Sequence, residues 1–309
     1  MRKLLLSIIS ILLILSMVLL SACGGDGKKA TEPASKQDAR NTAEARGTTT
    51  EPKSQTGQTE KSGQDPQTEN TGTSAQTKNK DLVVYESYSS FFDAKTDFLN
   101  LVLDEISPNM NLELSSKLHE VTVQEAVIFI YLTPLIYIGQ SKSIHGRLVI
   151  ETDEYMLKQL WGEDAVLTYD EKTGYYAKGK DVEGNVMEYN ILFNPELDSL
   201  KMEVSKNGTR ELVFEYSYTG EGYAAQYTFE TITRYENFSP IYEKCTFRTI
   251  FHENGGSCAR FDGVSSWPDS IYEKVPEESS FIKGASHWYS VKGKDITGNI
   301  GGKELKTLK

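Results

Sequence analysis

The chain has 309 residues, of which 33 are basic and 44 acidic, and its formal net charge is −11 at neutral pH. Residues 81–309 carry 22 basic and 36 acidic residues, a net charge of −14, and their number suits one domain of ordinary size. Nucleic acid and anionic lipid attract proteins of the opposite sign, so this balance argues against both as partners of that segment.

The beginning of the chain has the order of an export signal. Arg2 and Lys3 give a positive start, and residues 4–20 form an apolar run that only serines interrupt. By length alone the run could span a bilayer as a tilted helix. Small residues follow it, however, as they do at the cleavage site of a signal peptide.

The sequence Leu20-Ser21-Ala22-Cys23 resembles the lipobox of bacterial lipoproteins, and two glycines follow the cysteine. The resemblance implies that residues 1–22 are a lipoprotein signal peptide and that Cys23 becomes the acylated first residue of the mature chain. Two or more acyl chains hold a protein stably on a membrane, where one chain would not. The implied partner is the cell membrane, bound through Cys23 at its extracytoplasmic face. An uncleaved anchor with an incidental cysteine is the alternative.

Residues 26–80 contain no aromatic residue and no Val, Ile, Leu or Met. Such a segment cannot bury enough apolar surface to offset its ordering entropy, so disorder is expected. Residues 23–80 are therefore predicted to be a lipidated cysteine with a polar tether, about 40 Å from end to end. A cleavable or interaction-bearing tail is the alternative. Residues 81–309 are predicted to form a single extracytoplasmic domain.

Three helices are predicted in the first part of that domain. Residues 90–105 have apolar side chains at helical spacing. Thr122 and Glu125 resemble a capping box in front of residues 126–138, an apolar run too short to span a membrane, in which Pro134 should produce a kink. Residues 153–161 are predicted to form a third helix.

Four runs between residues 187 and 229 alternate apolar with polar residues, which predicts half-buried strands. The apolar members are Met187, Tyr189, Ile191 and Phe193; Leu200, Met202 and Val204; Leu212, Phe214, Tyr216 and Tyr218; and Tyr223, Ala225, Tyr227 and Phe229. Strands at 166–169 and 175–180 precede them, one at 241–251 follows, and a short one is expected near 259–261. The pattern predicts a meander of about seven or eight strands.

The turns determine whether the four runs share one face. Asn207 and Gly208 favour a two-residue hairpin, but its register places the apolar sets on opposite faces. A three-residue loop over residues 206–208, with Gly208 left-handed in a bulge, gives a common face and is predicted instead. A four-residue loop at 219–222 pairs Tyr218 with Tyr223.

This order predicts an α+β domain in which N-terminal helices pack on one face of a curved antiparallel meander. The layout is similar to that of bacterial lipoprotein carriers of the LolA and LppX type, in which a curved sheet and covering helices enclose a lipid-sized cavity. The similarity implies a hydrophobic or amphiphilic ligand. Aromatic residues on such a face more often form a core than a ligand site, although a pocket for an amphiphilic or aromatic ligand would favour this many tyrosines more than a core that only needs filling. The candidate apolar pocket consists of Tyr189, Phe214, Tyr216, Tyr227 and Phe229.

No catalytic residue, metal site or cofactor is predicted. The histidines are scattered without the spacing of metal ligands, and carboxylates are too numerous for one pair to be chosen as acid and base. An exported chain permits a disulfide between Cys245 and Cys258. A turn at residues 252–256 would place the two cysteines too far apart to bridge, so both states stay open. The histidines are His119, His145, His252 and His287.

Three functions are compatible with these features. The first is a membrane-anchored extracytoplasmic lipoprotein that acts as a non-catalytic binding or accessory module, with a hydrophobic or amphiphilic ligand as one version. The second is a cell-wall or surface hydrolase that uses carboxylates, and the third is a structural or partner-binding envelope protein. A sealed sheet face would argue against a carrier.

Overall fold

The computed structural model describes residues 81–110, 112–122 and 125–306. The predicted signal peptide, the lipobox with Cys23 and the polar tether lie outside these residues. Within the described part of the chain, no helix combines the length and the apolar character needed to cross a bilayer.

The chain before the sheet is helical. Helix α1 starts earlier than predicted and continues into a π-helical turn and a 3-10 turn, and a helix that was not predicted, α2, follows. The third predicted helix is confirmed as α5. The bounds are α1 Val84–Asn100, the π turn Leu101–Ile106, the 3-10 turn Ser107–Asn109, α2 Leu112–Thr122, α3 Glu125–Leu132, α4 Gln140–His145 and α5 Ile150–Trp161.

The apolar run 126–138 is not one kinked helix. Helix α3 ends at Leu132, and Pro134 lies in the first turn of a 3-10 helix (Thr133–Ile136), where its missing N–H is not needed. The predicted capping box was wrong, because Thr122 is the last residue of α2. Its hydroxyl donates to the carbonyl oxygen of Leu118 at 2.6 Å, as helix-interior threonines do.

One open antiparallel sheet of eleven strands follows, and every strand pairs with its neighbours in sequence. Helices followed by an antiparallel meander are confirmed, but the count of seven or eight strands was wrong because β9, β10 and β11 were not predicted. The strands are β1 Val166–Asp170, β2 Gly174–Lys180, β3 Val186–Asn194, β4 Ser199–Lys206, β5 Thr209–Tyr218, β6 Gly222–Glu236, β7 Ser239–His252, β8 Gly255–Phe261, β9 His287–Lys292, β10 Asp295–Ile300 and β11 Lys303–Lys306.

The hairpin between β4 and β5 combines a two-residue turn with a bulge. Asn207 and Gly208 form the turn, with left-handed φ values of 50° and 80°. In the bulge that follows, Glu211 has no cross-strand partner in β4, so that Val204 pairs with Leu212. The predicted three-residue loop was therefore wrong. The shared apolar face that motivated it is present, because the bulge restores the side-chain parity.

The turn between β5 and β6 matches its predicted register. The loop at 219–222 pairs Tyr218 with Tyr223, and Phe193 pairs with Leu200 across the turn between β3 and β4. The apolar sets of β3 to β6 therefore lie on one face, which we call the inner face. The helices pack on this face in one continuous core.

The opposite, outer face is also covered in its middle. Residues 262–286, which we call the strap, connect β8 to β9 and contain the short helix α6 (Glu278–Phe281). Ile271 and Phe281 of the strap pack on Ala224 of β6. Polar outer-face residues such as Glu215 are buried as a result.

Strands β6 and β7 extend beyond their neighbours. The pairing of β6 with β5 ends at Phe229, and the pairing of β7 with β8 begins at Thr246. Between these points residues 230–244 form a two-stranded projection, which we call the arm. Asn237 and Phe238 form the turn at its tip.

Candidate functional site

The five residues predicted to line an apolar pocket lie together on the inner face, and each is at most 4 % exposed. The ring of Tyr189 stacks on Trp161 of α5 with 5.0 Å between the centroids. The ring of Phe214 stacks on Tyr227 at 4.9 Å, and Phe229 stacks on Phe247 at 5.3 Å. In the structure these side chains belong to a packed core.

Helix α1 covers the centre of this face. The ring of Phe91 stacks on Tyr216 with 4.6 Å between the centroids and an interplanar angle of 8°. It also lies 5.7 Å from the ring of Phe214 and 5.9 Å from that of Phe251. Rings at these separations are in contact. Helix α1 and strands β5 to β7 therefore enclose no lipid-sized space between them.

Hydroxyl groups of the inner-face tyrosines bond to polar groups that the helices and a turn supply. The Tyr216 hydroxyl lies 2.5 Å from Ser87 Oγ, which donates to Asp198 Oδ1 at 2.5 Å. The Tyr223 hydroxyl donates to Asp198 Oδ2 at 2.8 Å. The Tyr227 hydroxyl accepts a hydrogen bond from the buried Lys95 of α1 at 3.0 Å. The rings of these tyrosines thus pack in the core, while the hydroxyl groups of Tyr216 and Tyr227 form hydrogen bonds with α1.

Asp198 is the acidic centre of this network, and the sequence did not point to it. It lies in the turn between β3 and β4 with a left-handed φ of 44°, a conformation that Asp and Asn tolerate better than most residues. Burial raises the pKa of Asp198 above its ordinary value, and the hydrogen bonds from Ser87 and Tyr223 oppose this rise. The network ties the first turns of α1 to the sheet.

The stability of the protein should depend on pH through Asp198. The folded state binds the proton more tightly than the unfolded chain, so this contribution is fully present below pH 3.8 and is lost as the pH rises through the folded pKa. The variant Asp198→Asn cannot titrate and keeps the left-handed turn. The free energy of unfolding of this variant minus that of the wild type should therefore increase as the pH rises through the folded pKa of Asp198. Urea unfolding at a series of pH values measures this difference. A difference that does not vary with pH would contradict the assignment.

A second polar cluster centres on Asp262, at the start of the strap. Its carboxylate accepts from Arg260 Nε at 2.5 Å, from His287 Nε2 at 3.2 Å and from Cys245 Sγ at 3.3 Å. Burial would raise the pKa of Asp262, but the hydrogen bond from His287 and the charge of Arg260 outweigh it and lower the pKa to about 2. This carboxylate is therefore ionised at neutral pH.

The thiol of Cys245 is unsuited to nucleophilic chemistry. Burial, together with the charge of Asp262, raises its pKa to about 11. A reactive cysteine needs the opposite shift, because the thiolate is the nucleophile. Cys245 and Cys258 are both buried, and no disulfide joins them.

The histidines do not converge. His145 is exposed, and His119, His252 and His287 are half-buried in separate elements. Among the described residues, no group of three or more His, Cys, Asp and Glu side chains is arranged to hold a metal ion.

Two open spaces lie away from the predicted pocket. A crevice of about 430 Å³ separates the two ends of the strap from the outer face, and Thr246, Arg248 and Phe261 contribute to its lining. Its volume falls in the range of small-molecule sites. A smaller cavity of about 70 Å³ lies beside Lys117 and His287. None of the five predicted pocket residues lines either space.

The arm carries the most exposed aromatic side chain of the described chain. Phe238 is 100 % exposed, and Tyr235 and Tyr242 are each at least 60 % exposed. Phe238 also has a left-handed φ of 65°, in a turn position where glycine is the usual residue. The sequence signal for this turn was the Asn237 and Pro240 pair between two alternating runs, but nothing in it indicated a projection.

No protein-family model, no curated protein and no solved structure matches the chain. The candidate surfaces are therefore defined by the geometry of this chain alone, and they are the arm and the crevice under the strap.

Proposed function

We propose that the chain is a lipid-anchored extracytoplasmic protein whose folded part is a non-catalytic binding or accessory module, and that the arm contacts a partner protein of the cell envelope. The observation that carries the proposal is Phe238, a fully exposed aromatic residue held in a strained backbone conformation. The lipobox sequence ending at Cys23 supports the anchor.

The backbone conformation of Phe238 is unfavourable, and no contact among the described residues compensates for it. A left-handed backbone costs a non-glycine residue about 1–2 kcal/mol. Full exposure means that packing within the chain does not offset this cost. Strained positions of this kind concentrate at binding sites, where they present a side chain in a fixed direction.

The position and the charge of the arm's surroundings favour a protein partner over a bilayer. The described chain begins at Asp81, and the first turns of α1 lie against Asp198, at the sheet end formed by the turns at 194–199 and 219–222. The arm projects from the other end of the sheet. The first turns of α1 and the arm therefore lie at opposite ends of the sheet. The negative charge of the domain disfavours an anionic bilayer as the contact of the arm.

The aromatic side chains of the arm are suited to bind an apolar pocket of a partner protein. Tyr and Phe supply large contact area at low entropic cost and are enriched at the centres of interfaces. Arg234, which bonds to Glu236 and Glu243, forms a charged rim beside them. The hydrophobic-ligand version of the module would require α1 to leave the inner face, so the arm is the better-supported surface.

Site-specific photo-crosslinking in cells tests the contact. A benzophenone analogue of phenylalanine at position 238 should give one discrete crosslinked product. The same analogue at Val182, which is 99 % exposed in a turn at the same end of the sheet, should not give that product. Equal products at both positions, or none at either, would contradict a partner contact at the arm.

The variant Phe238→Gly should separate stability from binding. Glycine adopts the left-handed conformation freely, so the free energy of unfolding should rise by about 1 kcal/mol. The crosslink should disappear when the analogue is placed instead at Tyr235 in this variant. A destabilised variant would show that the backbone at position 238 is not strained, and a Tyr235 crosslink at full yield would show that Phe238 does not serve the contact.

The anchor is tested independently by Cys23→Ala. This variant should leave the membrane fraction or retain its leader, and it should lose labelling by a palmitate analogue, because the acylated thiol is absent. Equal labelling of the wild type and the variant would refute the lipid anchor and would leave the arm untouched.

A further inference from the structure

We propose that the crevice between the strap and the outer face binds a small ligand through a carboxylate group, and that Arg248 is the residue that recognises it. This site lies on the outer face under the strap, and it does not depend on the function proposed for the arm.

Arg248 is held in one orientation before any ligand arrives. Its Nε donates to Gln226 Oε1 at 2.8 Å, and its Nη1 donates to the carbonyl oxygen of Phe281 at 3.1 Å. The rings of Phe261 and Phe281 lie on the guanidinium, each centroid 4.9 Å from its central carbon. A guanidinium fixed in this way loses little entropy when it binds, and its planar fork matches a carboxylate.

The charge of Arg248 is not matched by a carboxylate in the described residues. The two acceptors of its hydrogen bonds are neutral. Among the residues that the structure describes, no Asp or Glu side chain forms an ion pair with Arg248. Burial lowers the pKa of Arg248, and the more distant charge of Asp269 only partly opposes this. Three other arginines are paired, Arg210 with Glu203, Arg234 with Glu243 and Arg260 with Asp262, whereas Arg147 is exposed to solvent.

A partly desolvated cation without an adjacent anion is unfavourable, and a bound anion would compensate it. A guanidinium can donate hydrogen bonds but cannot accept them. The N–H groups of Arg248 that are not bonded to Gln226 or Phe281 therefore need an acceptor from the crevice or from solvent. An anionic group should therefore bind more favourably in the crevice than on the open surface.

The surroundings favour a carboxylate over a phosphate. Asp262 lines the crevice and the charge of Asp269 acts on Arg248 from farther away, so a dianionic group would meet more repulsion than a monoanion. Phe261 and Pro268 supply apolar lining, and Ser265 and Ser266 supply hydroxyls. A ligand with one carboxylate and a small body that is partly apolar fits this combination and the volume of about 430 Å³.

The test is an NMR titration of the mature chain with Cys23→Ser, in which the Arg248 side-chain Nε–H signal is followed. The probes are N-acetylalanine, its uncharged methylamide and inorganic phosphate. We expect a saturable shift with N-acetylalanine and a response to the methylamide that is about tenfold weaker or less. Phosphate that binds as well as N-acetylalanine, or no saturable shift with any probe, would overturn the assignment.

Two variants locate the site. Arg248→Gln should abolish the saturable binding, but it also removes the bond to Phe281 and can loosen the strap. Ser265→Trp fills the crevice without altering Arg248 and should weaken N-acetylalanine binding as well. The matched control is Arg210→Gln, which removes an arginine that also lies over an aromatic ring, that of Trp267. The control should bind like the wild type. Equal binding by Ser265→Trp and the wild type would overturn the location in the crevice.

Discussion

Replacing Phe214 by Ala should lower the free energy of unfolding by about 3–5 kcal/mol, the full loss of a packed core phenylalanine. The side chain is completely buried, and its ring contacts Tyr88 and Phe91 of α1 as well as Tyr216 and Tyr227 of the sheet. The rings around it cannot collapse into the space without breaking their own stacks and hydroxyl bonds. Urea unfolding measures the change.

The control for this substitution is Phe238→Ala, which removes the same atoms from a fully exposed position and should not destabilise the fold. A loss of less than about 2 kcal/mol at Phe214, with an unchanged urea slope, would mean that the site relaxes easily. It would also revive the expectation of an apolar pocket on the inner face, which the ring contacts of Phe91 disfavour.

The variant Glu215→Ala should lower the free energy of unfolding by about 3 kcal/mol and should loosen the strap. Glu215 is 1 % exposed on the outer face. Its carboxylate accepts from Ser270 Oγ at 2.7 Å and from the Ile271 amide at 2.8 Å. Without the carboxylate, a buried backbone N–H of the strap loses its acceptor, and such a group is costly to leave unpaired.

Amide exchange of Ile271 reports this effect directly, and its rate should increase in Glu215→Ala more than the rates of the inner-face strands. Glu203→Ala is the matched control, because Glu203 lies on the same face in β4 but its side chain is 26 % exposed and pairs with Arg210. The Ile271 amide should exchange at the wild-type rate in this control. An unchanged rate in Glu215→Ala would show that the bonds of Ser199 and Ser217 to the strap suffice.

The inner face could be predicted because its residues alternate strictly. Between Met187 and Phe229 each strand buries one side against the helices, and the period of two carries that information. The register at Asn207 and Gly208 could not be predicted from parity alone. A longer loop and a two-residue turn with a bulge satisfy the same parity, and the preference of Asn-Gly for the short turn decided between them.

The last three strands were missed because their pattern is broken. In β10 the buried positions are Ile296, Gly298 and Ile300, so a glycine stands where alternation needs an apolar side chain. A Cβ at Gly298 would lie 2.4 Å from the carbonyl oxygen of Trp288 in β9, which explains why no larger residue occupies it. Short, glycine-containing strands of this kind give little sequence signal.

The candidate surfaces were beyond prediction for a different reason. Glu215, Gln226 and Arg248 occupy the polar positions of alternating strands, a pattern typical of solvent exposure. Their burial depends on the strap, whose residues have no periodicity that would place them across the sheet. The contact of Phe91 with Tyr216 likewise joins segments far apart in the sequence. Alternation shows which residues share a face, but it does not show what covers that face.

The linear strand order has a consequence for how the chain folds. Apart from β8 and β9, which the strap connects, neighbouring strands are joined by short loops, so they can pair one after another without a large entropic cost. Helix α1 differs, because its contact from Ser87 to Tyr216 spans 129 residues. It is made early in synthesis, yet its docking surface is complete only when β5, β6 and β7 have paired. We therefore expect α1 to dock late, and before it docks the rings of Phe91 and of the inner face would be exposed together, as a surface that promotes aggregation.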